Sequence, residues 1–459
     1  MNKILGFLVT EIKEKFSLKI GAIFLCVCFI STNIFGQTKT WVGAGAASGN
    51  GGTDFNTPAN WNPTGTPSAS DNVTITLVAD AGINLSSDIS VNKMKLFLAG
   101  NNKVVRFNIG SKTFTVNDSA DIDILAGNPN TELHIGVSDN TSAGVINFKG
   151  YAAFGKTDQG GTGTTSNVYI DANANSKIYF STDLLLGRLA RITSGSEFGK
   201  LIFDGIGNQN FTTNNNGNFS ICSFRDVVIG ISNSPTVNLI GGTKGFVDPM
   251  LGNLTISNSA ILNVGTSRWN RSTLGGTLAL TNTSKLILSD VTGGITGSNF
   301  PSNFSTYNLD STSTVEFNGT AQTIPGTANA VLSYGNLTLS NGNVKTLGSN
   351  VSIYRCLTLA NNATMALGNF DAVLKSNNVT TAYVASVPTT PNFTYGSGRF
   401  IIERYLFPQK SWRLVSVPLL KLADDATAAT INESWREGGT TLSSTGDRKS
   451  TRLNSSHSS

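Results

Sequence analysis

The sequence predicts an all-β chain: a right-handed parallel β-helix, or β-solenoid, followed by the start of a truncated β-rich module. Three observations predict this. Short segments recur at a coil-sized spacing, apolar residues fall at i and i+2, and charge is scarce where turn formers abound. Only 13% of the 459 residues are charged, and 48 are Gly. Strands punctuated by tight bends have this composition. Val, Ile, Leu and Phe recur regularly throughout, which argues against disorder of the main body.

The repeats are the most informative feature. Gly252-Asn-Leu-Thr-Ile-Ser-Asn258 reappears as Gly335-Asn-Leu-Thr-Leu-Ser-Asn341, and Leu278-Ala-Leu-Thr-Asn282 aligns with Leu357-Thr-Leu-Ala-Asn361. A second strand follows in Leu262-Asn-Val264, Leu286-Ile-Leu288 and Met365-Ala-Leu367. Residues at i and i+2 share one face of a strand. The Asn-Ser, Asn-Thr and Asn-Asn pairs between strands tolerate left-handed backbone angles and close turns. The step between units is roughly 20 to 24 residues, which is short for a propeller blade and suits one solenoid coil. Inward Leu, Ile and Val are expected to stack into a dry core, with corner Asn and Thr forming hydrogen-bonded ladders. A β-sandwich array would show aromatic-rich strands at 8–12-residue spacing and clear hairpin turns, which are fewer here.

Five segments follow in order. Residues 1–36 read as an export signal: Lys3, Lys13, Lys15 and Lys19 precede the apolar run Ile20–Ile30, which is too short to span a bilayer. Residues 37–80 are expected to cap the solenoid, and 81–390 to form it. Before residue 240 the pattern is looser, with strands expected around Val73–Leu77, Lys95–Leu98, Val104–Ile109, Ile122–Leu125, Val145–Phe148, Val168–Ile170, Ile178–Phe180 and Leu201–Phe203. The Gly-rich run from Gly160 reads as a bend. A composition shift near Pro388 to Pro391 marks 391–446 as the start of another β-rich module. Residues 447–459 resemble the in-frame translation of a sequencing adapter and are set aside from fold reasoning.

Setting aside both ends changes the charge argument. The first 36 residues hold four Lys and two Glu, and the tail holds Arg448, Lys449, Arg452 and Asp447. Without them 26 basic and 25 acidic residues remain, a net of +1. The sequence pI of about 8.9 therefore reports the ends, and nucleic-acid binding has no electrostatic support. Cys222 and Cys356, the only cysteines between the two ends, read first as small buried residues, with a disulfide in an oxidising compartment as the alternative.

Three segments carry a family resemblance. The first is Trp41-Val-Gly43 with Asn60-Trp-Asn-Pro63, Pro67 and Asp71-Asn-Val-Thr-Ile75. The second is Ser313-Thr-Val-Glu-Phe-Asn-Gly-Thr-Ala-Gln322 leading into Tyr334-Gly-Asn-Leu-Thr-Leu339 and Lys345-Thr-Leu347. The third is Glu403-Arg-Tyr405, Trp412-Arg-Leu414 and Pro418, with Ile431-Asn-Glu-Ser-Trp-Arg-Glu-Gly438 downstream. Together they resemble large adhesin-like β-helix surface proteins of gliding Gram-negative bacteria that use type IX secretion. The resemblance implies release through the outer membrane or display on it, and brings no catalytic residues. Asp118-Ser-Ala and Asp310-Ser-Thr resemble O-glycosylation acceptors of such bacteria.

Reactive chemistry is sparse. Outside the tail, His134 is the only histidine, so a Ser-His-Asp, Cys-His or His-based metal site has little to build on. No cofactor and no metal site are expected. Asp121 and Asp123 are the alternative catalytic pair: they share one face of a strand about 7 Å apart, a spacing open to a glycosidase or a Ca²⁺ site. The plainer reading is two solvated Asp on an outer face beside inward Ile122 and Ile124, with no Arg or Lys evidently placed to assist. Gly43-Ala-Gly45 lacks the third Gly of a phosphate loop, and Gly160-Gly-Thr-Gly163 lacks the Asp of a Ca²⁺ repeat. Exposed Trp41, Trp61, Trp269 and Trp412 would be able to stack on sugars, with Trp41 and Trp61 the weak glycan-binding candidates, although a lone Trp more often caps a β-helix end or packs a module junction. The expected function is an exported, secreted or cell-surface, structural or adhesive protein, non-catalytic in the portion present. Its expected partners are extracellular polymers, glycans or other cell surfaces, with no nucleic acid and no transmembrane helix after signal removal. The alternatives are a polysaccharide-active β-helix lyase or hydrolase, and a stalk for a functional domain downstream.

Overall fold

Lys285-Leu-Ile-Leu288 shows how this sequence makes a coil. Leu286 and Leu288 point inward and are fully buried, while Lys285 and Ile287 face outward. The strand pairs in parallel with Ile261–Gly265 before it and Thr314–Phe317 after it, setting Leu262, Leu286 and Val315 one above another. Repeated along the chain, this arrangement is a parallel β-solenoid.

The computed structural model describes residues 36–137, 139, 141–156, 166–192, 200–213, 225–241, 250–295, 297–326, 332–360, 363–385 and 393–405. Where the described residues follow a whole coil, it visits three sides in turn. The first side runs through Asn72–Leu77, Thr236–Gly241, Ile261–Gly265, Lys285–Leu288 and Thr314–Phe317; the second runs through Val145–Phe148, Lys177–Phe180, Lys200–Phe203, Asp226–Ile229 and Leu254–Ile256. Ile89–Leu98, Thr113–Ile124, Ser333–Leu339 and Val351–Leu359 continue round the corner between these sides, so hydrogen bonding joins both into one 24-stranded sheet. The third side carries a five-stranded sheet (Ala81–Asn84, Val104–Asn108, Glu132–Gly136, Asn167–Asp171, Ala190–Ile192) and, later, a four-stranded one (Thr323–Ile324, Val344–Leu347, Thr364–Ala366, Phe393–Thr394). No helix among the described residues is long and apolar enough to cross a membrane, which says nothing of strands.

All eight strands expected before residue 240 are present, within a few residues. The expected step of 20 to 24 residues was too narrow. Register partners lie 20 residues apart at Asn336 and Cys356, but 32 apart at Val145 and Lys177. The extra length falls in the corners, which is why the early pattern looks loose. The Gly160 run lies outside the described residues. Another difference is instructive. Leu254–Ile256 lies on the second side, whereas its sequence match within Ser333–Leu339 pairs on the first. Every side asks the same of its strand, two inward apolar residues and a turn, so the repeat does not encode the side.

The boundary at 390 also moves. Phe393–Thr394 pairs in parallel with Met365–Ala366, and Phe400–Ile402 with Ala372–Leu374. The composition shift changes corner residues without ending the stack, and the solenoid continues through Ile402. Residues 406–459 lie outside the described residues.

Inside, like residues stack on like. The Phe148 and Phe180 rings lie 5.5 Å apart and nearly parallel, and Phe203 follows at 5.6 Å. At the N-terminal end, Trp41, Phe55, Trp61, Phe107 and Phe114 form a buried cluster with centroids 4.8–6.3 Å apart. Thr38–Trp41 pairs antiparallel with Trp61–Asn62 there, while also running parallel to Asn72–Leu77.

The corners are held by buried amides. Gln322 Nε2 donates to the carbonyls of Leu288 (3.2 Å) and Asp290 (3.0 Å) in the preceding coil, and its Oε1 accepts from Gly319 N at 2.6 Å. Gln209 does the same with Phe180 O, Thr182 O and Gly205 N. Asn299 and Asn173 bridge coils in the same way. All four are at least 98% buried, so each amide meets acceptors that water does not reach. Gln322→Leu strips two carbonyls and one N–H of their partner. It should lower the unfolding free energy by about 1–3 kcal/mol in urea titrations, with Thr320→Ala, at an exposed position, as the near-neutral control.

Candidate functional site

Two outer polar clusters hold most of the reactive groups that the sequence singles out. The first surrounds Asp121 and Asp123 on Thr113–Ile124. As expected, both project from the face opposite Ile122 and Ile124, but they are not two solvated carboxylates. Asp123 is 1% exposed and accepts the N–H of Ile124 at 2.9 Å. Asp121 stays partly exposed and binds Lys156 Nζ at 2.6 Å. Lys156 is therefore the assisting cation that the sequence did not reveal. It lies 35 residues downstream of Asp121, and only the coil step brings them together.

That hydrogen bond to Asp121 raises the Lys156 pKa above its ordinary value, against the opposing effect of burial. Beside it, Tyr151 is half exposed, and burial pushes its hydroxyl upward, with Asp121 and Asp183 adding to the shift. One Asp121 oxygen is buried without a hydrogen-bond partner. With Asp123 buried and Asp121 tied to a cation, the pair does not present two accessible carboxylates to a sugar.

The second cluster surrounds His134 on the third side. Its Nδ1 lies 2.9 Å from Asp171 Oδ2, and its Nε2 lies 3.4 Å from Glu132 Oε2. Tyr169, its register partner on the next coil, stacks on the ring at 4.4 Å. Arg106 stands at the same register on the coil before. Both ring nitrogens face carboxylates and one ring face is covered, so the side chain ties two coils together and offers no nitrogen to a substrate. The two carboxylates lie against opposite nitrogens and do not converge on one ion. Among the described residues no group of three or more His, Cys, Asp or Glu is arranged to hold a metal.

The glycan candidates are corrected. Trp41 and Trp61 are 2% and 1% exposed, and Trp269 is fully buried. Trp61 Nε1 donates to Phe55 O at 2.7 Å, and Trp41 Nε1 to Ala44 O at 3.1 Å. A ring inside an aromatic cluster with its N–H satisfied has no face left for a sugar. Trp412 lies outside the described residues. Among the described residues the most exposed rings are tyrosines: Tyr151, Tyr383, Tyr395 and Tyr405. The signal of Tyr151 and Tyr383 was hidden because an isolated Tyr in a strand reads equally well as inward or outward. Cys356 is partly exposed rather than buried, with Sγ 3.6 Å from Thr358 Oγ1; Cys222 lies outside the described residues.

Compared with family models, curated proteins and solved structures, the chain has no match.

The Lys156–Asp121 pair yields a pH prediction. Because the folded state raises the Lys156 pKa, its contribution is fully present below the unfolded lysine value of about 10.4 and lost as pH rises through the folded one. Partial exposure limits it to about 1 kcal/mol or less. Melting curves of wild type and Asp121→Asn should differ by a constant amount from about pH 6 to 9 and converge above about pH 10.5.

Proposed function

We propose that this chain is an exported structural or adhesive solenoid, secreted or displayed on the outer cell surface, that presents its length rather than a catalytic centre. One observation carries the reading. Among the described residues, the His134, Asp121 and Lys285 side chains are engaged within and between coils instead of converging on a cleft. His134 is held by two carboxylates, Asp121 by Lys156, and Lys285 by Glu316.

The outer surface supports the same reading. Asn210 donates to Asp183, Asn238 to Asn210, and Asn263 to Asn238, at 3.2–3.5 Å, forming an amide row along the coils. Such a row stiffens the stack and leaves an uncharged, hydrogen-bonding strip. Extracellular polymers, glycans or other cell surfaces suit that surface, with weak contacts spread over many coils. The near-balance of charge removes long-range attraction to nucleic acid.

The test is retention of the full chain on glycan arrays, immobilised matrix polymers and whole cells, alongside assays for reducing ends and unsaturated products on a polysaccharide panel. Retention without product is expected. Product release that survives Asp121→Asn with Asp123→Asn would establish an enzyme acting elsewhere; product release abolished by that change would restore the carboxylate pair. Absence of retention on every surface would remove the adhesive role.

A further inference from the structure

Arg271 is a buried cation that makes no ion pair among the described residues. It lies on the third side, in a segment between the two smaller sheets, and bridges in parallel to Met250 of the preceding coil. Parallel partners point their side chains the same way, so a guanidinium stands where the neighbouring coil places a fully buried Met. Arg271 itself is 7% exposed.

Its Nε donates to Thr273 O and its Nη1 to Gly252 O, each at 3.1 Å. A guanidinium fork has five N–H donors. One on Nη1 and both on Nη2 therefore have no acceptor among the described residues. Asp226, whose charge reaches Arg271, forms no ion pair with it and instead accepts from the backbone and side chain of Asn253 at 2.9 and 3.0 Å. Gly275 and Gly276 lie against the fork with φ of 154° and 55°; a Cβ on Gly276 would fall 2.2 Å from Nη1. Burial lowers the basicity of the group, and the Asp226 charge offsets this only in part. A cation buried this deeply is costly unless it is paired.

We propose that Arg271 anchors an oxyanion site, its open Nη edge taking one carboxylate or sulfate group side-on through two parallel hydrogen bonds. The group is either a free ion or the acidic substituent of a polymer. The inference does not depend on the adhesive reading.

Melting of the full chain in sodium sulfate or acetate, against sodium chloride at matched ionic strength, tests it. A saturable rise of about 2 °C or more is expected, and it should vanish in Arg271→Lys, which keeps the charge and loses the fork. An equal rise in both proteins, or one that follows ionic strength alone, overturns the site. Should Arg271→Lys fail to fold, hydrogen exchange of the wild type decides. Sulfate should slow exchange in peptides covering 250–253 and 269–276, and unchanged exchange there overturns the proposal. Dextran sulfate and polygalacturonate, run beside the salts, separate the sources: stabilisation by the polymers assigns a polymer substituent, and by the salts alone a free ion.

Discussion

The rest of the structure depends on the in-register parallel hydrogen-bond ladder between successive coils. Parallel pairing places each residue beside its counterpart about 4.8 Å away, so whatever one coil puts at a position the next must tolerate. Apolar residues meet apolar ones in the interior, as in the row from Phe148 through Phe180 and Phe203 to Ile229. Amides meet amides outside, as in Asn210, Asn238 and Asn263. A charge repeated at one register would repel itself, and in the strands such repeats are few, Lys177 with Lys200 being one.

The ladder leaves the corners to be solved separately. Each corner turns the backbone away from its strand and exposes N–H and C=O groups that the sheets do not pair. Asn258, Asn282 and Asn341 take left-handed angles there, and buried Asn173, Gln209, Asn299 and Gln322 span to carbonyls of the coil before. Asp204 accepts from three successive N–H groups of Ile231, Ser232 and Asn233. Corners are therefore specific where strands are generic, and a coil can lengthen from 20 to 32 residues without disturbing the three sides.

This division explains what the sequence discloses. Strands were legible because alternation such as Lys285-Leu-Ile-Leu288 has one structural meaning. Their side was not, since Leu254–Ile256 and Leu337–Leu339 read alike and lie on different sides. The amides at corners were visible as composition but not as bridges, because Gln322 and its acceptors are separated by 32–34 residues. Site chemistry was legible only in part. His134 and Asp121 were evident as residues, whereas the partners that engage them, Asp171 and Lys156, lie one coil away. Trp41 and Trp61 misled because an aromatic ring near a chain end suits a capping cluster as well as an exposed platform; the Phe55, Phe107 and Phe114 rings around them decide the matter. Arg271 gave no signal at all, since only its register with Met250 makes a cation there unusual.

Register is the claim on which all of this stands, and cross-coil disulfide trapping tests it most directly. In a chain carrying Cys222→Ser and Cys356→Ser, Asn238→Cys with Asn263→Cys places two thiols at paired positions on the outer face of the first side. The Cα separation of neighbouring strands lies within the range a disulfide spans. Oxidation should cross-link this pair nearly completely, and leave Asn238→Cys with Ile261→Cys, two residues out of register, largely reduced. Cross-linking of the second pair in preference to the first, or of neither, would contradict the parallel stack.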